Sequence, residues 1–154
     1  MEIERDRYVE KLLAHRWNGM VKVITGVRRC GKSYMLFNLF RNRLLSEGAN
    51  PSDIIEVKLE EMEAAPLRDP IALYEHIRSL TSDGKKRYVF IDEIQMVPKI
   101  KNPYLPDGGD ITFYEPLNSL SNTGYLDLYV TGSNSHMLSS DVLTQFRDRG
   151  KLIN

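Results

Sequence analysis

The sequence predicts an α/β fold in which helices cover both faces of a parallel sheet, a three-layer α/β/α arrangement. Short β-rich runs alternate with segments of helical periodicity, and the run at residues 88–91, YVFI, is apolar throughout. Strands that are joined through helices pair in parallel, and a continuously apolar strand is buried on both faces. Because its 154 residues contain no repeat and no Gly/Ser-rich linker, the chain is expected to form one domain, residues 1–154.

Each element has its own signal in the sequence. Helices are expected over residues 5–17, 32–46, 70–80, 114–120 and 139–147. The second has apolar residues at helical spacing and stops at Gly48, and the third begins with Pro70. Strands are expected over residues 20–25, 53–59, 88–91 and 126–131. The sheet is therefore predicted to have about four strands.

The composition narrows the class of protein. Lysine plus arginine (21) balances aspartate plus glutamate (21), so any nucleic-acid surface would have to be local. A single cysteine excludes an internal disulfide, and the charged amino terminus has no apolar signal segment or membrane span. These features predict a cytoplasmic protein without a membrane partner. His15, His76 and His136 are scattered without the spacing of a metal site.

The residues from Gly26 to Ser33, GVRRCGKS, match the pattern G-x4-G-K-[ST] at every fixed position. Its glycines let backbone N–H groups surround phosphates, its lysine reaches the β and γ phosphates, and its serine ligates Mg²⁺. An expected strand before the motif and a helix after it favour a P-loop over a plain glycine-rich turn. The residues predicted to bind the nucleotide are Gly26, Val27, Arg28, Arg29, Cys30, Gly31, Lys32, Ser33 and Tyr34. Lys32 is also predicted to be catalytic, and Ser33 to be a metal ligand.

Three residues fill the variable positions of this motif: Arg28, Arg29 and Cys30. A helix N-terminus lowers the pKa of a thiol, which leaves a redox role for Cys30 beside the alternative of a small residue tolerated in the loop. Two arginines are a weak indication of nucleic-acid binding.

The strand at residues 88–91 runs directly into Asp92 and Glu93, a Walker B pattern. An aspartate at a strand's carboxyl end can hold Mg²⁺, and the adjacent glutamate can orient or deprotonate an attacking water. The pair therefore favours hydrolysis, with an acidic turn that caps a helix as the alternative. The sequence has no N-K-x-D guanine-reading motif, which favours ATP over GTP.

The strand at residues 126–131 leads into the small polar residues GSNS. One further strand between the two motifs is the pattern of the ATPase branch with a catalytic glutamate, in which a polar residue here lies beside the γ-phosphate. Asn134 is the first candidate for this residue and Ser133 the second. An ordinary Ser/Asn turn is the alternative.

Four segments in order, GVRRCGKSYML, VFIDEIQ, VTGSNSHMLSSDV and FRDRG, resemble a prokaryotic family of AAA-type P-loop ATPases of mostly unknown biological role. The resemblance covers nearly the whole chain. Members of that family continue into a fifth core strand, a winged-helix-like region and a C-terminal domain that is sometimes nuclease-like. The resemblance therefore implies an N-terminal fragment or shortened relative without the fifth strand. It also implies that Arg147 or Arg149 could act as an arginine finger, in cis or on a neighbouring copy in a homo-oligomer.

One segment departs from the family pattern. Residues 97–112 are longer than the usual link after Glu93, and a long loop beside a catalytic face is often functional. Lys99, Lys101 and Tyr104 could contact a partner there, with a solvated loop as the alternative.

These sequence features are compatible with three functions: a Mg²⁺-dependent ATP hydrolase, a nucleotide-binding switch or partner-binding module with little turnover, and a kinase that phosphorylates small acceptors. The Asp92–Glu93 pair favours the hydrolase over the kinase, and the early end of the chain keeps the switch as an alternative. A nucleic-acid or protein partner is compatible with each.

Overall fold

The computed structural model describes residues 2–26, 31–105, 107–133 and 150–153. The helices in these ranges are α1 (Glu2–Ala14), α2 (residues 32–46), α3 (Pro70–Leu80) and α4 (Tyr114–Ser121), with short 3-10 turns at Pro51–Asp53, Met62–Leu67 and Ile94–Met96. The strands are β1 (Val21–Gly26), β2 (Ile54–Lys58), β3 (Arg87–Asp92), β4 (Ile100–Lys101), β5 (Asp110–Ile111), β6 (Leu126–Ser133) and β7 (Gly150–Ile153). The helix expected over residues 139–147 lies outside the described residues.

Within the described part of the chain, the main sheet has five parallel strands in the order β2-β3-β6-β1-β7. The prediction that the fifth strand is missing was wrong, because β7 pairs with β1 from Val21↔Gly150 to Ile24↔Ile153. Without β7, the backbone N–H and C=O groups along that edge of β1 would have no partner strand. Four residues at the end of the chain are enough to supply it.

Helices cover both faces of this sheet. Along β3, Val89 and Ile91 belong to the core beneath α3 and α4, while Phe90 belongs to the core beneath α1 and α2. All three side chains are fully buried. The run is apolar because both of its faces are covered, which confirms the predicted three-layer α/β/α fold.

Residues 97–112, expected to form a loop, contain a small antiparallel hairpin. Ile100 of β4 pairs with Ile111 of β5, and Lys101 pairs with Asp110. Lys99 Nζ lies 3.8 Å from Asp110 Oδ2, and the Tyr104 side chain is 74% exposed. Among the described helices, none is long and apolar enough to cross a membrane.

Candidate functional site

The candidate site lies at the carboxyl edge of the sheet. The register places Lys58 beside Asp92, and Gly26 beside Ser133, at the ends of their strands. Because β1, β3 and β6 are adjacent and parallel, the segments that follow them leave the sheet at one edge. Ligands of open parallel sheets bind at this edge.

Asp92 joins two of these segments through one carboxylate oxygen. Its Oδ1 accepts a hydrogen bond of 2.7 Å from Ser33 Oγ, at the start of α2, and one of 2.6 Å from Thr131 Oγ1, on β6. The aspartate is 8% exposed; its bond from Thr131 is buried, and its bond from Ser33 is partly buried. Residues from three distant parts of the sequence thus meet at this oxygen.

Glu93 follows in an unusual backbone conformation. Its φ of 54° and ψ of 56° lie in the left-handed region, which residues other than glycine rarely adopt. Its N–H donates a 3.0 Å hydrogen bond to Thr131 Oγ1, and its Oε2 accepts a 2.6 Å bond from Gln95 Nε2. Glu93 is 4% exposed, and both its backbone N–H and its carboxylate are hydrogen-bonded.

The start of α2 is set by the second glycine of the motif. Gly31 has a φ of 79°, which glycine adopts without strain, and its carbonyl accepts the Met35 N–H at 2.8 Å. Tyr34 is half exposed. Ser33, in the first turn of this helix, thereby reaches Asp92 across 59 residues of sequence.

For the other predicted site residues, the structure describes the backbone of some and does not describe the rest. Gly26, Lys32 and Ser133 have a described backbone only, at the end of β1, the first position of α2 and the end of β6. The remaining predicted residues lie outside the described ranges: Val27, Arg28, Arg29, Cys30, Asn134, Arg147 and Arg149.

The oxygen donors at Asp92 are of the kind that Mg²⁺ takes. The described residues contain no cluster of three or more His, Cys, Asp or Glu side chains that could hold a metal by itself. Ser33 and Asp92 provide one hydroxyl and one carboxylate close together. Mg²⁺ prefers such hard oxygen ligands, and takes its remaining ligands from phosphates and water.

Two residues of the site were missed in the sequence, Thr131 and Gln95. Thr131 had a signal, since it is a hydroxyl residue at the end of the apolar run LYV, but the polar residues that follow it give a stronger one. Gln95 had the weaker signal of an amide two positions after the acidic pair.

Comparison with known proteins identifies the family of the chain. Residues 18–154 match the AAA domain family, which is most of the chain. The chain belongs to the AAA domain family.

Two relatives of this AAA domain are proteins without a described function. An uncharacterized protein of Haemophilus influenzae is 30% identical over 148 residues, which are 96% of this chain and 34% of the relative. An uncharacterized protein of Methanocaldococcus jannaschii is 28% identical over 133 residues, which are 84% of this chain and 24% of the relative. The chain thus spans about a third or less of these relatives.

Solved structures share the fold of this AAA domain at low sequence identity. A DNA polymerase III gamma subunit-related protein of Thermotoga maritima aligns with a TM-score of 0.60 and 10% identity, covering 95% of this chain and 45% of that one. The genome packaging NTPase B204 of Sulfolobus turreted icosahedral virus 2, in complex with AMPPCP, aligns with a TM-score of 0.53 and 15% identity, covering 82% and 72%.

Proposed function

We propose that this AAA domain binds ATP with Mg²⁺ at the carboxyl edge of its sheet and hydrolyses it. The observation that carries the proposal is the hydrogen bond between Ser33 and Asp92. It brings together the hydroxyl of the phosphate-binding motif and the carboxylate of the acidic pair, the two groups expected to hold Mg²⁺. The AMPPCP complex of the structurally similar packaging NTPase supports a nucleoside triphosphate as the ligand.

The phosphates would lie against the backbone from Gly26 to Tyr34, with the Lys32 ammonium at the β and γ phosphates. Mg²⁺ held by Ser33 and Asp92 would neutralise phosphate charge. Glu93 would accept a proton from the water whose oxygen attacks the γ-phosphorus, while the bond from phosphorus to the β–γ bridging oxygen breaks. The products are ADP and inorganic phosphate. Asn134, or Ser133, would contact the γ-phosphate.

The predicted partners belong to this proposal as well. Arg147 or Arg149 would complete the site as an arginine finger, in cis or from a second copy. The conformational change that hydrolysis drives would be transmitted to a protein or nucleic-acid partner.

The decisive variant is Glu93→Gln, which keeps the size of the side chain but cannot accept the proton. We expect it to bind ATP with the wild-type affinity and to release phosphate at least about a hundredfold more slowly. Binding is measured by calorimetry with Mg²⁺, and hydrolysis by single-turnover release of labelled phosphate. Removal of Mg²⁺ with a chelator should abolish release in the wild type.

The matched control is Glu63→Gln, the same change at an exposed position of the 3-10 turn Met62–Leu67. It should leave both binding and hydrolysis unchanged. If the wild type binds ATP but neither it nor Glu93→Gln releases phosphate, hydrolysis is refuted and a nucleotide-dependent switch is favoured.

A further inference from the structure

Thr131 links the two acidic residues of the proposed site. Its hydroxyl donates to Asp92 Oδ1 at 2.6 Å and accepts the Glu93 N–H at 3.0 Å. We infer that Thr131 is a positioning residue for hydrolysis, which fixes the direction in which the Glu93 carboxylate points. The inference rests on the proposed function and concerns the step that follows nucleotide binding.

The two bonds of the hydroxyl depend on each other. A hydroxyl has one proton, so when Thr131 donates it to Asp92, a lone pair remains for the Glu93 N–H. Thr131 is completely buried, so loss of its hydroxyl would remove both bonds from the interior of the protein. The peptide between Asp92 and Glu93 is therefore held in one orientation relative to the end of β6.

The restraint acts on the backbone conformation of Glu93, which is unfavourable without supporting contacts. Glu93 is left-handed, with a φ of 54°, and such conformations persist only where the surrounding contacts impose them. The N–H of Glu93 is the group that changes direction if the residue returns to an ordinary backbone conformation. Since Cα and the side chain turn with it, loss of the Thr131 bond would move the carboxylate of the proposed general base.

Packing alone does not require a hydroxyl at this place. The preceding strand residues Leu128, Tyr129 and Val130 are almost fully buried, and valine has the shape of threonine. A buried hydroxyl has a cost unless it is hydrogen-bonded, so its two bonds to the acidic pair are its compensation.

Thr131→Val removes the hydroxyl, and Thr131→Ser keeps it. We expect Thr131→Val to bind ATP and Mg²⁺ within about twofold of the wild type and to lower kcat by about ten- to a hundredfold, the effect of a misplaced catalytic group. Thr131→Ser should retain most of the wild-type kcat. In the absence of nucleotide, the Glu93 amide should exchange its proton faster in Thr131→Val than in Thr131→Ser.

Thr81→Val is the control for a merely structural effect. Thr81 is also completely buried, and its hydroxyl donates to the Ile77 carbonyl at 2.9 Å, near the end of α3. This variant should lose stability and keep kcat. An equal fall of kcat in Thr81→Val and Thr131→Val would overturn the inference, and so would a wild-type kcat in Thr131→Val.

The proposed function and this inference fail in different measurements. Phosphate release by the wild type decides whether the domain hydrolyses ATP, and its absence overturns both. When the wild type does release phosphate, the difference between Thr131→Val and Thr131→Ser decides the role of Thr131 alone.

Discussion

Among single residues of the site, Gln95 contacts the Glu93 carboxylate with its side chain. Its amide donates a 2.6 Å hydrogen bond to Oε2 from two residues further along the chain. Hydrogen bonds to a charged group contribute about 1.5–3 kcal/mol, and in a buried site they also restrict the direction of that group. Gln95 therefore complements Thr131, which acts on the backbone of the same residue.

Replacement of Gln95 by methionine, which has a similar length but no N–H donor, should reduce kcat for ATP hydrolysis by about tenfold, the equivalent of 1.4 kcal/mol. KM should change little, because the phosphate-binding residues are untouched. Steady-state kinetics of the purified variant measures both constants. A variant that is as fast as the wild type or faster would contradict this role, and would indicate that the bond holds the carboxylate in an unproductive direction.

The sequence predicted some of these site residues and not others for a physical reason. Ser33 and Asp92 stand at fixed positions in local patterns, so a short segment is enough to identify them. Thr131 and Gln95 depend on features that no short segment contains: the register Ile91↔Val130, which aligns β6 with β3, and the left-handed turn at Glu93.

At the scale of elements, α2 differs from the regular α-helix that its periodicity predicted. A stretch of π-helix, Met35–Phe40, separates the α-helical segments Lys32–Tyr34 and Arg41–Ser46. The stretch has four buried side chains, Met35, Leu36, Phe37 and Phe40. A run this apolar is compatible with either hydrogen-bond pattern, so the sequence alone could not distinguish them.

The hairpin β4–β5 has an exposed tip that a shorter turn can replace. The described residues of the hairpin tip, 103–105 and 107–108, include Tyr104 and Leu105, which are 74% and 60% exposed. Asn102 N donates to the Gly109 carbonyl at 3.1 Å on either side of the tip, so a two-residue turn can join these positions.

Replacement of residues 103–108 by Asn-Gly should leave ATP affinity and hydrolysis within about twofold of the wild type, because the tip contributes exposed side chains and little to the core. Stability should change by less than about 1 kcal/mol. Calorimetry, phosphate release and urea unfolding test the variant. A large loss of hydrolysis would show that the tip belongs to the site.

At the scale of the whole molecule, the alternation of strands and helices was enough to predict the layers and the parallel sheet. The fifth strand was excluded on the basis of a family resemblance and the early end of the chain. The four residues Gly150–Ile153 nevertheless pair along β1. Pairing of so short a segment is decided by the open edge beside it, a property of the assembled sheet and not of the segment.

The amino-terminal edge of the same sheet contains a buried ion pair that no sequence pattern predicted. The Lys22 ammonium donates to the Asp127 carboxylate, and both residues are almost fully buried. Asp127 also accepts from Tyr129 Oη at 2.7 Å and from Trp17 N at 3.0 Å. Burial lowers the pKa of Lys22 although Asp127 acts in the opposite direction. The pair connects β1 to β6 at the edge opposite the proposed nucleotide.

Replacement of Asp127 by asparagine should lower the free energy of unfolding by about 3–5 kcal/mol at neutral pH, because it leaves the Lys22 ammonium buried without its counter-charge. The pKa of Lys22 in the folded variant should then lie further below its value in the unfolded chain, about 10.4. Between these two values the unfolded chain binds more protons, so the stability of the variant should rise with pH. Urea unfolding at neutral pH and at about pH 9.5 measures the change. The control is the double variant Lys22→Met/Asp127→Asn, which removes the ammonium and the pH dependence together. A deficit of Asp127→Asn that is the same at both pH values would show that the buried charge is not its cause.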